Sequence, residues 1–405
     1  MIKKFVILFI FGMCLLACEK NNDSLEYNAI EVAVENSVED TAGGSSANIN
    51  EDQYEVSSET SEVSQSETTS TQQDSTIDMS DRISIEVDPR IELISIIQYL
   101  SDYFVINSFE SDYKDRIDDY FEEYRDHEVV KELANYHNAG FCYDAPVTLM
   151  LMCEKNELLT LSSEVTERLI ERIGSVEDIE RYISLCNEFI EMSNFNAFLE
   201  QEDKYYEEMI DAYSEKSTLD SVVRDLERYY GDIQNKYTII LGQLQDGSYG
   251  PSVLSKDGKY DLYSVIGPKG YTATNGKYFF GYSSSLLYHE FGHAFVNPLA
   301  EKYSDEVEKY SHLYEDHKDS MERKGYGRWN TVVNEYIVRA VEARMYLKQY
   351  GEDSYNSLLQ REKSGGFVLI GEICDKLKYY ENNRSEYKSF EDYYPELIKA
   401  FEIEQ

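Results

Sequence analysis

Ser284-Ser285-Leu286-Leu287-Tyr288-His289-Glu290-Phe291-Gly292-His293-Ala294-Phe295-Val296 carries two of the chain's six histidines in the spacing HExxH. The spacing predicts an amphipathic helix over about Ser284–Val296, opened by Ser283, Ser284 or Ser285 as its cap. Residues i and i+4 project from one helix face, so both imidazoles can reach one tetrahedral Zn²⁺. Glu290 stands about 100° away and can reach a water beside that metal as general base. The bland alternative is a pair of surface histidines on an acidic helix.

Short β-like runs precede this helix. They are Thr238–Leu244, Tyr249–Ser255 and Lys259–Gly267, separated by Asp-Gly and Lys-Asp-Gly turns. Gly267–Gly270 and Thr274–Lys277 mark further turns. A small sheet ahead of the helix would offer an edge strand on which an extended peptide could pair.

A catalytic zinc needs a third protein ligand and an open position for water. Position 296 is Val and position 299 is Leu, so the longer HExxHxxGxxH pattern is absent. The remaining route is a carboxylate on a later helix. Asn334-Glu335 lies within Trp329–Leu347, which carries Val333, Ile337, Ala340 and Val341 toward a core and Glu335, Arg339 and Glu342 near one another on another face. Glu335 is the leading candidate; Glu342 and Glu301 are its rivals. Forty-two positions separate His293 from Glu335, and the charged stretch Glu301–Arg328 fills the gap as an insertion.

Gly276–Leu299 (GKYFFGYSSSLLYHEFGHAFVNPL) with Asn334–Ala340 (NEYIVRA) resembles a group of bacterial lipoproteins and secreted proteins. That group is catalogued as a domain of unknown function and regarded as gluzincin-like metallopeptidases. The opening Val87–Tyr103 (VDPRIELISIIQYLSDY) resembles its start, so the likeness covers about residues 84–402. It implies a zincin-like fold, zinc at His289, His293 and Glu335, and Glu290 as catalytic base. It implies no particular substrate. The attacked carbonyl needs a donor as its negative charge grows, and Tyr336, Arg339 and Tyr326 are candidates. Arg339 has a second reading, as the ion partner of Glu335 or Glu342. Asn297 lies one turn past His293, either orienting a ligand or preceding Pro298 at the helix end. His127, His137, His312 and His317 have no matching partners and read as surface or core residues.

Upstream, Ile83–Asp88 alternates like a strand and Pro89 opens a helix through Leu100. Helical patterns follow over 113–125, 128–136, 145–153, 164–173, 176–192, 198–212 and 219–230, acidic on one face and aliphatic or tyrosine-rich on the other. Their stripes read as packing.

Met1–Cys18 has a basic start at Lys3 and Lys4, an apolar run over Phe5–Leu16, and the ending Leu15-Leu16-Ala17-Cys18, which resembles the bacterial lipobox. The expectation is a signal peptide over 1–17 and lipidation of Cys18, with the protein anchored outside the cytoplasmic membrane by acyl chains. Glu19–Asp81 contains sixteen acids and one base, Lys20, and predicts a disordered acidic tether over 18–83. Cys142, Cys153, Cys186 and Cys374 remain, as free thiols or two bridges.

The whole chain of 405 residues carries a formal charge of −40. A nucleic-acid binder needs a basic surface, and anionic lipid head groups would also be repelled. The fold class expected is therefore α+β and mostly helical, with a helical subdomain over 84–233 followed by a zincin-like domain with a small sheet over 234–405. The function expected is a membrane-anchored, extracytoplasmic zinc metallopeptidase acting on peptide or protein substrates. The alternative is a ligand-binding surface lipoprotein whose metal is structural or absent. Glu290→Gln separates the two, because it spares every ligand.

Overall fold

Ile83–Glu86 forms β1, and in the computed structural model its neighbour is Lys236–Leu241 (β2), a strand that arrives only after a long helical excursion. The structure describes residues 79–272, 277–315, 318–322, 324 and 326–402. The expected signal peptide, Cys18 and the tether through residue 78 lie outside them. Met79–Asp81 makes a single 3₁₀ turn before β1.

The fold is α+β and mostly helical, with a small mixed sheet. β1 pairs parallel with β2, and β2 pairs parallel with Tyr260–Ile266 (β5). The outer edge of β5 holds two short antiparallel strands, Ser248–Tyr249 (β3) and Ser252–Leu254 (β4). Ser248 faces Ile266 and Leu254 faces Tyr260 in one unbroken register, so 248–254 is a single edge strand interrupted at Pro251, which has no N–H for the ladder. Gly270–Thr272 (β6) and Lys277–Phe279 (β7) form a separate two-stranded ladder.

Between β1 and β2 run eight helices: α1 (Pro89–Leu100), α2 (Asp112–Phe121), α3 (Glu128–Ala139), α4 (Asp144–Leu151), α5 (Glu167–Ile173), α6 (Val176–Ser193), α7 (Phe195–Ser214) and α8 (Leu219–Tyr230). Several start on local caps of the kind the sequence advertises. Asp88 accepts from Arg90 N ahead of Pro89, Ser175 caps α6, and Ser111 caps α2. Their apolar stripes bury Ile91, Ile94, Phe121, Leu133, Phe189 and Leu226. Because β1 joins the sheet, the segments on either side of residue 233 share it, and the described residues from Ser80 onward belong to one compact unit.

After β7 come α9 (Ser284–Lys302), then three short helices α10 (Ser304–Glu308), α11 (His312–Glu315) and α12 (Lys318–Glu322) in the expected insertion. α13 (Trp329–Ser364) is broken at Gly351, where φ is +81°. α14 (Ile370–Asn382) and α15 (Phe390–Leu397) complete the fold. α9 outruns the sequence expectation and carries Pro298 inside it. One face of α9 lies on the sheet, with Phe291 edge-on to Tyr237 at 5.4 Å. Another stacks Phe295 on Tyr230 of α8 at 4.5 Å. A third packs along α13, where Gly292 permits a close approach: a Cβ there would stand 3.2 Å from the Tyr230 hydroxyl and 3.3 Å from Val338, tight enough that a neighbour must give way by a few tenths of an ångström. Cys142, Cys153, Cys186 and Cys374 are buried free thiols. No helix of the described residues is long and apolar enough to cross a membrane.

Four polar side chains depart from ordinary packing. Glu92, Gln98, Gln243 and Gln245 are almost completely buried. Glu92 Oε1, both amide atoms of Gln98, both of Gln243 and Gln245 Oε1 find no hydrogen-bond partner among the described residues. Each orphan atom costs about 1–3 kcal/mol, so the set would consume most of a domain's usual net stability of about 5–15 kcal/mol if left unsatisfied.

Candidate metal centre

Ser283 accepts a hydrogen bond from Leu286 N and starts α9, which sends His289 and His293 off one face toward α13. Their Nε2 atoms lie 3.2 Å apart. Glu335 reaches both from α13, with Oε1 3.3 Å from His293 Nε2 and Oε2 3.8 Å from His289 Nε2. These are the one group of three or more potential metal-ligating side chains among the described residues, all donor atoms falling within 4.8 Å of one another.

The outer nitrogens are held from behind. Glu342 Oε2 sits 3.4 Å from His289 Nδ1, and Ser285 Oγ donates to Glu342 Oε1 at 2.5 Å. Asn297 Oδ1 lies 3.2 Å from His293 Nδ1. An oxygen behind Nδ1 favours a proton there, the tautomer in which Nε2 would turn its lone pair to a metal in place of the proton it gives Glu335. Glu335 is clasped as well. Arg339 Nε donates to its Oε2 at 3.2 Å, the Tyr326 hydroxyl stands 3.3 Å from the same oxygen, and Arg339 Nη2 donates to the Tyr326 oxygen at 3.1 Å. Arg339 also binds Glu362 at 2.9 Å and lies over the Phe367 ring at 4.5 Å.

Two imidazole nitrogens and one carboxylate are a donor set that suits zinc. The charges agree. Glu290, Glu335, Glu342 and Glu362 bring four carboxylates to this interior against the guanidinium of Arg339, with Arg361 meeting Glu362 from the rim at 3.4 Å. Burial opposes a charge on His293, but the hydrogen bond and charge of Glu335 raise its pKa, so a proton there offsets part of this excess of acid, a place a metal cation would take in the loaded site. Burial alone would raise the Glu335 pKa. The hydrogen bond from His293, with Arg339 and His289, outweighs it and holds the carboxyl well below its usual range. Burial pushes the Glu290 carboxyl up.

Glu290 points instead toward the sheet edge. A Cβ at Gly250 would collide with its carboxylate oxygen and lie 2.9 Å from its Cβ and 3.1 Å from its Cδ. Gly250 is thus the seat of the Glu290 carboxylate, and no other residue fits there without moving it.

A family described as a domain of unknown function, DUF4932, matches residues 83–400. The chain belongs to the DUF4932 family. Comparison with curated proteins and with solved structures yields no match. The DUF4932 match contains every residue of the cluster, from Gly250 on the edge strand to Glu362 on the far part of α13.

Of the residues singled out in sequence, the structure brings together His289, His293, Glu335, Arg339, Asn297 and Tyr326. Glu342 also joins them, behind His289 and apart from the three converging ligand atoms. Arg339 takes the ion-partner place on Glu335. Tyr336, expected as a catalytic donor, is a correction: its hydroxyl donates to Gly366 O at 3.3 Å and its ring packs on Phe367 and Phe401. One position past Glu335 is 100° around the helix, which turns Tyr336 away from the cluster. Glu301 is exposed, and His127 packs against Phe189. Sequence reading missed Ser285, Glu362 and Gly250. Ser285, one turn before His289, was visible only as a capping candidate.

The place of Glu342 makes a graded prediction. Glu342→Ala removes the acceptor behind His289 and spares the ligands, so zinc affinity should fall by about 10–100-fold, with the site still formed. A chelator-competition titration measures this, and an unchanged affinity would show that Glu342 does not tune His289.

Proposed function

We propose that the chain is a zinc-dependent hydrolase of peptide bonds, held outside the cytoplasmic membrane by lipid on Cys18. The observation that carries this reading is the convergence of His289 Nε2, His293 Nε2 and a Glu335 oxygen, with Glu290 lodged between that cluster and a free sheet edge.

The edge supports the substrate class. Gly247 O, Pro251 O and Ser255 N bond across to β5. In an antiparallel ladder, alternate residues turn their N–H and C=O inward. Ser248, Gly250, Ser252 and Leu254 therefore turn theirs outward, and no other described strand pairs with them. An extended peptide added there passes the Glu290 carboxylate at Gly250.

A bound zinc would polarise the scissile carbonyl and lower the pKa of a water toward about 7. Glu290 takes a proton from the attacking water onto its carboxylate and passes it to the leaving nitrogen. Burial supports this role by raising the carboxyl's proton affinity. Tyr326, whose hydroxyl donates to Glu335 and accepts from Arg339, would serve the carbonyl oxygen by turning its one proton from Glu335 to it. Glu342 and Asn297 keep both imidazoles aimed inward.

Metal analysis followed by digestion of a peptide library tests the reading, with Glu290→Gln as the control. A metal-free protein, or one with zinc and no cleavage above that control, would leave the binding-lipoprotein alternative. For the anchor, the sequence Leu-Leu-Ala-Cys after a signal-length apolar run is the support. Cys18→Ser should release the protein from membranes or stop its processing, measured by fractionation and the mature N-terminus. Unchanged retention would remove the anchor from the proposal.

A further inference from the structure

A cleft of about 680 Å³ lies where α8, the first part of α13 and the end of α14 meet, and none of the metal ligands lines it. α8 gives it Asp225, Arg228 and Tyr229, whose spacing puts them on one helix face. α13 gives Arg344, Leu347 and Lys348 at the same spacing. Glu381 comes from the last turn of α14, and Arg384 follows just past it.

The charge of this lining runs against that of the whole chain. The sequence holds 78 acids and 38 bases. The cleft is lined by four cations and two carboxylates, which leaves two positive charges over. The hydrogen bonds show where the excess sits. Asp225 is shared: its Oδ1 stands 3.4 Å from both Arg228 Nη1 and Lys348 Nζ, and its Oδ2 accepts from the Tyr288 hydroxyl at 3.2 Å. Glu381 is taken by Arg344, through Nε at 2.9 Å, and by the Tyr229 hydroxyl at 3.1 Å. Arg384 meets no carboxylate among the described residues. It caps the end of α8, donating to Tyr229 O at 2.7 Å and Arg228 O at 3.1 Å, and it reaches Lys388 O at 3.2 Å. Carbonyl oxygens satisfy its N–H groups without neutralising its charge. Arg344 is largely buried and fixed, whereas the side chains of Arg228 and Lys348 are 72% and 66% exposed and free to close on a guest.

We propose that this cleft binds a phosphate monoester carried on an apolar body, at a site separate from the proposed hydrolytic centre. One group bearing two charges matches the excess. Guanidinium groups suit its oxygens, and Lys348 adds a mobile point charge. Tyr229, Met345 and Leu347 complete the lining and give the ester's body an apolar wall.

Phenyl phosphate is the probe, titrated calorimetrically into the full chain at about pH 8, where the ester is a dianion. Saturable binding that weakens with added salt is expected. Neutralising the two exposed cations, Arg228→Gln with Lys348→Gln, should lower the affinity by on the order of tenfold or more. Arg384→Gln keeps amide donors for the α8 carbonyls, loses the charge and should weaken binding as well, so the test survives if one variant does not fold. Phosphate held instead at the metal centre would ignore these changes, so equal affinity in the folded variants overturns the site. Benzenesulfonate, with the same ring and a single charge, should bind several-fold more weakly; equal affinity would overturn the assignment to a dianion. Vesicles containing phosphatidic acid separate the sources. Capture by vesicles that the variants lose assigns the phosphate to a lipid head group, and binding of phenyl phosphate alone assigns it to a soluble ester. No saturable binding of either probe overturns the proposal. None of these readouts depends on hydrolysis, so the outcome is separate from that of the proposed activity.

Discussion

Replacing Glu290 by Gln should leave zinc in place and slow peptide hydrolysis by a factor on the order of a hundred or more. The substitution keeps the shape that Gly250 accommodates and touches none of the three converging donors. It removes only the capacity to take and return a proton. Paired measurements of metal content and turnover separate holding the metal from using it. Intact hydrolysis in this variant would dismiss Glu290 as the base and with it the peptidase mechanism. Lost zinc would mean that the carboxylate is a ligand, contrary to its direction toward the sheet edge.

The second large effect is expected at Glu335. Glu335→Ala deletes one of three protein ligands, so zinc affinity should fall well beyond the roughly hundredfold ceiling for an outer partner such as Glu342. It also removes one of the carboxylates that hold Arg339, leaving Glu362 in place, and breaking one side of a buried ion pair costs up to about 3–5 kcal/mol. Thermal stability should therefore drop even in zinc-free buffer. His289→Ala and His293→Ala should lose zinc with a smaller metal-free penalty, because neither strands a buried guanidinium. If Glu335→Ala binds zinc normally and Glu342→Ala does not, the ligand is two helical turns from where the converging atoms put it.

The helix bearing HExxH was legible because cap, periodicity and ligand spacing are all local. Glu335 was legible because an acid on a later helix face is what two histidines still require. Glu342 shares the Glu335 face, since seven residues bring the helix almost full circle. Its displacement of about 10 Å along the axis decides its role, carrying it behind the His289 ring. Sequence alone does not supply that offset, because it depends on how α9 and α13 cross. Glu362 was invisible for a different reason: it returns to Arg339 only after the chain breaks direction at Gly351. The parallel pairing of β1 with β2 was hidden too. Alternation marks each strand, but nothing local says that eight helices intervene between partners.

The open edge at Ser248–Leu254 has one more consequence. A strand whose outward N–H and C=O groups are unpaired is an invitation to any extended chain, including a second copy of the same protein. Pro251 does not withdraw it, because its missing N–H lies on the side facing β5. What discourages copies from stacking edge to edge is long-range repulsion, since each carries a charge of −40. Colloidal stability is thus supplied by the whole surface. The edge itself stays bare and can admit a short, weakly charged guest while its own kind is kept at a distance.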